Sequence, residues 1–175
     1  MFINNKAKFY TLITSIFIHY SYRHIVMNLI FAVFIMYELE FCWKWSILVG
    51  LVAGFAANCL AVVTTSGLIL GFSGVLCGYL GIILAAIIQH CSYLRATQYN
   101  QCYFVTFMIV IMLFFIVGLS SAGVIHLFGV LFGVLFGLAL YPVMPECQPN
   151  PNVDKLFKIF SVAFLVIVVI VAFTA

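Results

Sequence analysis

Charged residues are scarce in this chain, which has 7 lysines and arginines and 4 aspartates and glutamates among its 175 residues. Hydrophobic residues make up 67% of the sequence, and the mean hydropathy is +1.30. Soluble globular domains carry about a quarter charged residues, so the composition excludes that class. The net charge of +3 is small and scattered along the chain, which argues against nucleic acid as a partner.

Other missing residues exclude several kinds of catalytic site. Asp154 is the only aspartate and falls in a predicted loop, which excludes a membrane protease built on paired aspartates. The sequence has no H-E-x-x-H motif for zinc, and no spacing of its histidines and cysteines is typical of a metal site. The six cysteines form no C-x-x-C pair, and cysteine in an apolar stretch packs as a small hydrophobe. We therefore expect no metal site.

The apolar residues fall into six stretches long enough to cross a membrane, since a spanning helix needs about 20 apolar residues. We name these predicted spans A to F; they cover residues 20–39, 46–64, 73–89, 103–119, 124–141 and 156–173. All four prolines lie within residues 142–151 and mark a linker before span F. The predicted fold class is therefore an all-α polytopic membrane protein, located in the lipid bilayer. Its predicted parts are a membrane domain, a loop and an additional C-terminal helix, over residues 1–141, 142–155 and 156–175.

Positive charges predict how the spans are oriented, because lysine and arginine concentrate on the cytoplasmic side. Lys44 lies between spans A and B, Arg95 between C and D, and Lys155 between E and F, whereas the B–C and D–E loops carry no charge. This pattern places Ser73, at the start of span C, and His126, near the start of span E, together on the outer side.

Ser73 and His126 are the candidate catalytic pair. An ionisable residue inside a membrane is costly to keep and is therefore a functional candidate. Glycines follow both residues, at positions 74, 78 and 81 in span C and at 129, 133 and 137 in span E. Stripes of small residues let two helices approach closely, so the pattern predicts that spans C and E pack and bring serine to histidine. Histidine can then act as general base for the hydroxyl, and no acidic residue is near enough in sequence to complete a triad.

His24 and Asn28 are the candidate donors for an oxyanion. Their i, i+4 spacing puts them on one face near the outer end of span A. Hydrogen-bond donors aimed at the developing negative charge contribute much of the transition-state stabilisation in acyl transfer. The backbone N–H of Ser73 at a helix start would be a further donor.

Each of these features also has an ordinary structural interpretation. A G-x-S-G motif inside a membrane helix most often serves close packing, and His24 with Asn28 can form a polar clamp between helices. A small channel or transporter with a histidine-lined polar path is a further alternative. Only the joint occurrence of these residues favours proteolysis.

The ordered set of motifs resembles the rhomboid family of intramembrane serine proteases. Residues 14–28, T-S-I-F-I-H-Y-S-Y-R-H-I-V-M-N, are similar to the family pattern T-S-x-F-x-H-x-S-x-x-H-x-x-x-N. Residues 71–74, G-F-S-G, match its G-x-S-G, and residues 126–133, H-L-F-G-V-L-F-G, match its H-x-x-G-x-x-x-G.

The resemblance implies a rhomboid-like helical bundle and a serine endopeptidase that cleaves the transmembrane segments of single-span membrane proteins. It implies Ser73 as nucleophile, His126 as general base, and His24 and Asn28 as oxyanion stabilisers, with no cofactor. The family's first core span would precede residue 1, and span F would be an extra C-terminal helix. The alternative within the same family is a catalytically inactive pseudoprotease that binds membrane clients.

Overall fold

A computed structural model describes residues 10–39, 46–64, 70–96 and 120–140, together with helical single positions at 155, 158–159, 162–163 and 166. Apart from the turns at residues 15–21 and 70–72, the described part of the chain is helical, and it contains five continuous helices. We number them in chain order: α1 Tyr10–Thr14, α2 Tyr22–Leu39, α3 Ser46–Thr64, α4 Ser73–Ala96 and α5 Ser120–Leu140.

Four of these helices correspond to predicted spans A, B, C and E. Helix α3 has the predicted bounds, and α2 begins two residues later than predicted. Helix α4 begins at Ser73 as predicted but continues to Ala96 rather than ending near residue 89, and α5 begins at Ser120 rather than Val124. Hydropathy marks the apolar part of a helix, whereas its polar ends extend further. The short helix α1 was not predicted.

Span D, the proline-rich linker and most of span F lie outside the described residues, so the division of the chain into three parts stays a prediction. Within the described segments, no helix meets the combined length and hydropathy required of a membrane crossing.

Helix α4 is the centre of the fold and packs against α2, α3 and α5. Its contact with α3 depends on a large residue opposite a glycine. The Tyr79 ring lies directly over Gly50, and its hydroxyl donates a hydrogen bond to the carbonyl oxygen of Ile47 at 3.0 Å. Because Tyr79 is almost completely buried, this bond satisfies a polar group that water does not reach.

Helices α4 and α5 pack through their glycines, which confirms the predicted contact between the two stripes. A Cβ atom added at Gly133 would lie 2.9 Å from Gly81 Cα, and one added at Gly129 would lie 2.9 Å from Cys77 Cβ. Neither position has room for a side chain, so the two backbones are in direct contact. This contact holds the N-terminal halves of α4 and α5 side by side, where Ser73 and His126 lie.

Candidate active site

Ser73 is the first residue of α4 and follows a sharply turned glycine. Gly71 has a φ of 110°, a conformation that residues with a side chain rarely adopt. The N–H groups of Val75 and Leu76 donate to the Phe72 carbonyl oxygen at 3.0 and 3.1 Å. The Ser73 N–H is among the first amides of the helix, which have no intrahelical acceptor.

His126 reaches Ser73 from α5. Its Nε2 atom lies 2.9 Å from Ser73 Oγ, within hydrogen-bond distance, and the histidine is only 5% exposed. With the proton of a neutral imidazole on Nδ1, the serine hydroxyl donates to Nε2. This is the contact that proton removal from a serine nucleophile requires.

His24 lies beside this pair because its ring packs against Gly71. A Cβ atom added at Gly71 would lie 2.6 Å from His24 Cε1, so the missing side chain of glycine makes room for the imidazole. The structure therefore brings His24 to the loop that precedes Ser73.

His19 packs against the ring of His24. The two rings meet edge to face with centroids 5.2 Å apart. His19 Nδ1 lies 3.2 Å from the Phe17 carbonyl oxygen, and its buried Nε2 atom has no hydrogen-bond partner among the described residues. His19 thus contacts His24, which in turn lies against the loop that precedes Ser73.

Asn28 lies one turn after His24 on α2 and is buried, with 9% of its surface exposed. Its Nδ2 atom has no hydrogen-bond partner in the part of the chain that the structure describes. Leaving a buried donor unsatisfied is unfavourable by about 1–3 kcal/mol. Asn28 therefore keeps an unused N–H donor on the helix that carries His24.

Asn58 is a polar residue near the site that the sequence analysis missed. It lies in the middle of α3 and is 2% exposed, and its amide contacts Ser15 and lies close to Gly74, the residue after Ser73. The sequence does contain a signal for Asn58. A polar amide inside an apolar helix is costly to bury, as an intramembrane histidine is, and is a functional candidate for the same reason.

Comparison with known protein families matches residues 6–143 to the Rhomboid domain. The chain belongs to the rhomboid family. A search of curated proteins found no significant match. The buried, hydrogen-bonded pair of Ser73 and His126 in this rhomboid domain is consistent with a rhomboid serine protease.

Proposed function

We propose that this rhomboid protein is an intramembrane serine endopeptidase that cleaves transmembrane segments of single-span membrane proteins with a Ser73–His126 dyad. The observation that carries the proposal is the 2.9 Å distance between Ser73 Oγ and His126 Nε2. A serine and a histidine 53 residues apart in the chain meet at a partly buried point in the fold. A packing role for either residue would not require this contact.

The proposed reaction is acyl transfer through the serine. His126 Nε2 takes the hydroxyl proton while Ser73 Oγ attacks the scissile carbonyl carbon, and a tetrahedral intermediate with a negatively charged oxygen forms. The imidazolium then gives its proton to the leaving amine, which leaves an acyl-enzyme. Water, deprotonated by the same histidine, hydrolyses the ester and restores the serine.

Three donors are proposed to stabilise the oxyanion. They are the ring N–H of His24, which lies against Gly71, the unused side-chain N–H of buried Asn28, and the backbone N–H of Ser73. A donor that has no partner in the resting protein is well suited to an acceptor that develops only during the reaction, since no existing bond must be broken.

A membrane location and a helical substrate follow from the composition and from the exposed surface of α2. Large apolar side chains on this helix face outward, with Val33 71%, Leu29 61% and Phe34 53% exposed. Such a surface is unfavourable in water and suits lipid chains. An integral multi-pass protein of this kind meets single-span proteins laterally in the bilayer. A peptide bond within a helix is shielded, so the substrate has to unwind locally before Ser73 attacks.

The test is cleavage of tagged single-span membrane proteins by the full chain in the same membranes, compared with Ser73→Ala. We expect cleavage within or near the substrate's transmembrane segment that the variant lacks entirely. Cleavage that persists in Ser73→Ala would refute the proposal. Co-purification of a substrate with folded wild-type protein, without any cleavage, would instead favour the client-binding pseudoprotease.

A further inference from the structure

We propose that Asn58 is a positioning residue for the nucleophile, which sets the start of α4 relative to the N-terminal segment of the chain. This inference rests on the proposed function. Asn58 takes no part in the chemistry; it holds residues on either side of Ser73 in place.

The first half of the argument is the contact of Asn58 with the N-terminal segment. Its Nδ2 atom lies 3.4 Å from the Leu12 carbonyl oxygen and 3.5 Å from Ser15 Oγ. Ser15 Oγ in turn donates to the same Leu12 carbonyl at 3.2 Å. Leu12 is the middle residue of α1 and is among its last four residues, whose carbonyl groups lack intrahelical partners. Asn58 therefore closes a small polar network that joins α1 to the middle of α3.

The network continues to the loop that precedes the nucleophile. The Gly71 N–H donates to the Ser15 carbonyl oxygen at 2.9 Å. Gly71 has the unusual φ of 110° and is the residue against which His24 packs. A glycine in this conformation needs external contacts to keep a single geometry, because its backbone is the least restricted of all residues. The Ser15 carbonyl oxygen provides that contact, and the amide of Asn58 contacts the Ser15 hydroxyl and so keeps Ser15 in place.

The second half of the argument is the contact of Asn58 with α4 itself. A Cβ atom added at Gly74 would lie 3.6 Å from Asn58 Oδ1, so the amide oxygen lies close to the residue that follows Ser73, at the distance that a single methyl group there would bridge. One buried side chain thus lies beside the start of the helix just after the nucleophile and is linked, through Ser15, to the loop just before it.

Energetics favour a specific role over simple filling of space. Asn58 is 2% exposed, and a buried amide is unfavourable unless it is hydrogen-bonded. An apolar residue of similar size would pack in α3 without that cost. The two hydrogen bonds, at 3.4 and 3.5 Å, are long, so their strength alone does not explain why an amide is present. The position of the side chain between Ser15, which binds the Gly71 N–H, and Gly74 does explain it.

The experiment compares Asn58→Leu and Ser15→Ala with the wild-type full chain in lipid vesicles. Thr64→Val is the matched control, because Thr64 lies on the same helix, is exposed, and bonds only within α3, to the Leu60 carbonyl. Five quantities are measured: kcat and KM on a single-span substrate, the rate of labelling by a serine-directed fluorophosphonate probe, the rate of hydrogen exchange of the Gly71 amide, and the temperature of thermal unfolding.

We expect both variants to lower kcat of the folded protein by about tenfold to a hundredfold, the loss typical of a nucleophile displaced by up to 1 Å. KM should stay within about twofold of the wild-type value, since Asn58 is 2% exposed and offers almost no surface to a substrate. Probe labelling should slow in parallel, and the Gly71 amide should exchange faster. Thr64→Val should change none of these.

A structural role alone would give a different result. If Asn58→Leu lowers the unfolding temperature while the folded fraction keeps wild-type kcat and wild-type Gly71 exchange, the positioning role is refuted. If Asn58→Leu does not fold, Ser15→Ala decides, because it removes a single hydroxyl. If the wild-type protein shows no Ser73-dependent cleavage, the proposed function fails separately, and Gly71 exchange alone then decides the role of Asn58.

Discussion

Replacing Gly133 with alanine places one methyl group where α4 and α5 are in backbone contact. The added carbon would lie 2.9 Å from both Gly78 C and Gly81 Cα, and closer still to the Gly78 carbonyl oxygen. These are backbone atoms and cannot rotate away as a side chain would. Carbon atoms in contact are normally about 3.5–4.0 Å apart. Because the Gly78 carbonyl oxygen is nearer than either carbon, the two helices must separate locally by about 1 Å or more.

The expected loss of stability follows from this overlap. Overpacking of a close-packed site is unfavourable by about 1–3 kcal/mol, and the rigid partners put Gly133→Ala at the upper end. Alanine recovers about 1 kcal/mol through its better helix propensity. The net decrease in the free energy of unfolding should therefore be about 2 kcal/mol.

The same displacement should impair the dyad. His126 lies on α5 seven residues before Gly133, and Ser73 lies on α4. Their 2.9 Å contact would lengthen beyond hydrogen-bond range if the helices moved apart by as much as at Gly133. A misplacement of about 1 Å lowers a catalytic rate by up to about a hundredfold.

Unfolding of the full chain by a denaturing detergent, followed together with the rate of serine-probe labelling, measures both effects. Leu127→Ala is the control on the same helix, because Leu127 is 54% exposed, and its effect on stability should stay within about 0.5 kcal/mol. Wild-type stability and labelling in Gly133→Ala would refute the inference that direct backbone contact holds the two helices together.

Three further variants test the roles proposed around the dyad. His126→Ala should abolish cleavage while detergent unfolding stays near wild type; a cleaving His126→Ala protein would exclude the dyad. Asn28→Ala should lower kcat by about a hundredfold or less, as for loss of one oxyanion donor, and unchanged kcat in steady-state assays would remove Asn28 from that role. Gly71→Ala should lower the cleavage rate per folded molecule about tenfold or more, because its methyl group would meet His24 Cε1 at 2.6 Å and its φ of 110° is strained. Normal cleavage by Gly71→Ala would show that His24 does not need its position over the glycine.

Much of the helical architecture could be predicted from hydropathy. A long apolar stretch in an apolar environment forms a helix because a helix pairs its backbone N–H and C=O groups within the same segment. Helix α3 matches its predicted bounds for that reason. The end of α4 was predicted too early, since the residues from Gln89 to Ala96 are more polar yet remain helical. The short α1 has no periodic pattern long enough to reveal it.

The sequence also predicted that Ser73 and His126 would meet. Glycines every three or four residues after each of them mark helix faces without side chains, and such faces in membrane helices pack together. Because both residues precede their glycines, packing brings them to the same end of the bundle. The local pattern thus contained enough information for a contact across 53 residues of chain.

Composition and spacing in the sequence by itself determined the helical class, the family motifs and the pairing of α4 with α5, since all three depend on periodic or local patterns. Only the tertiary structure decided the φ of Gly71, the position of His24 over that glycine, and the place of Asn58 between Ser15 and Gly74. These features depend on single atoms from segments distant in the chain. No periodicity links Leu12 or Ser15 to Asn58, so their contact exists only once the helices have packed.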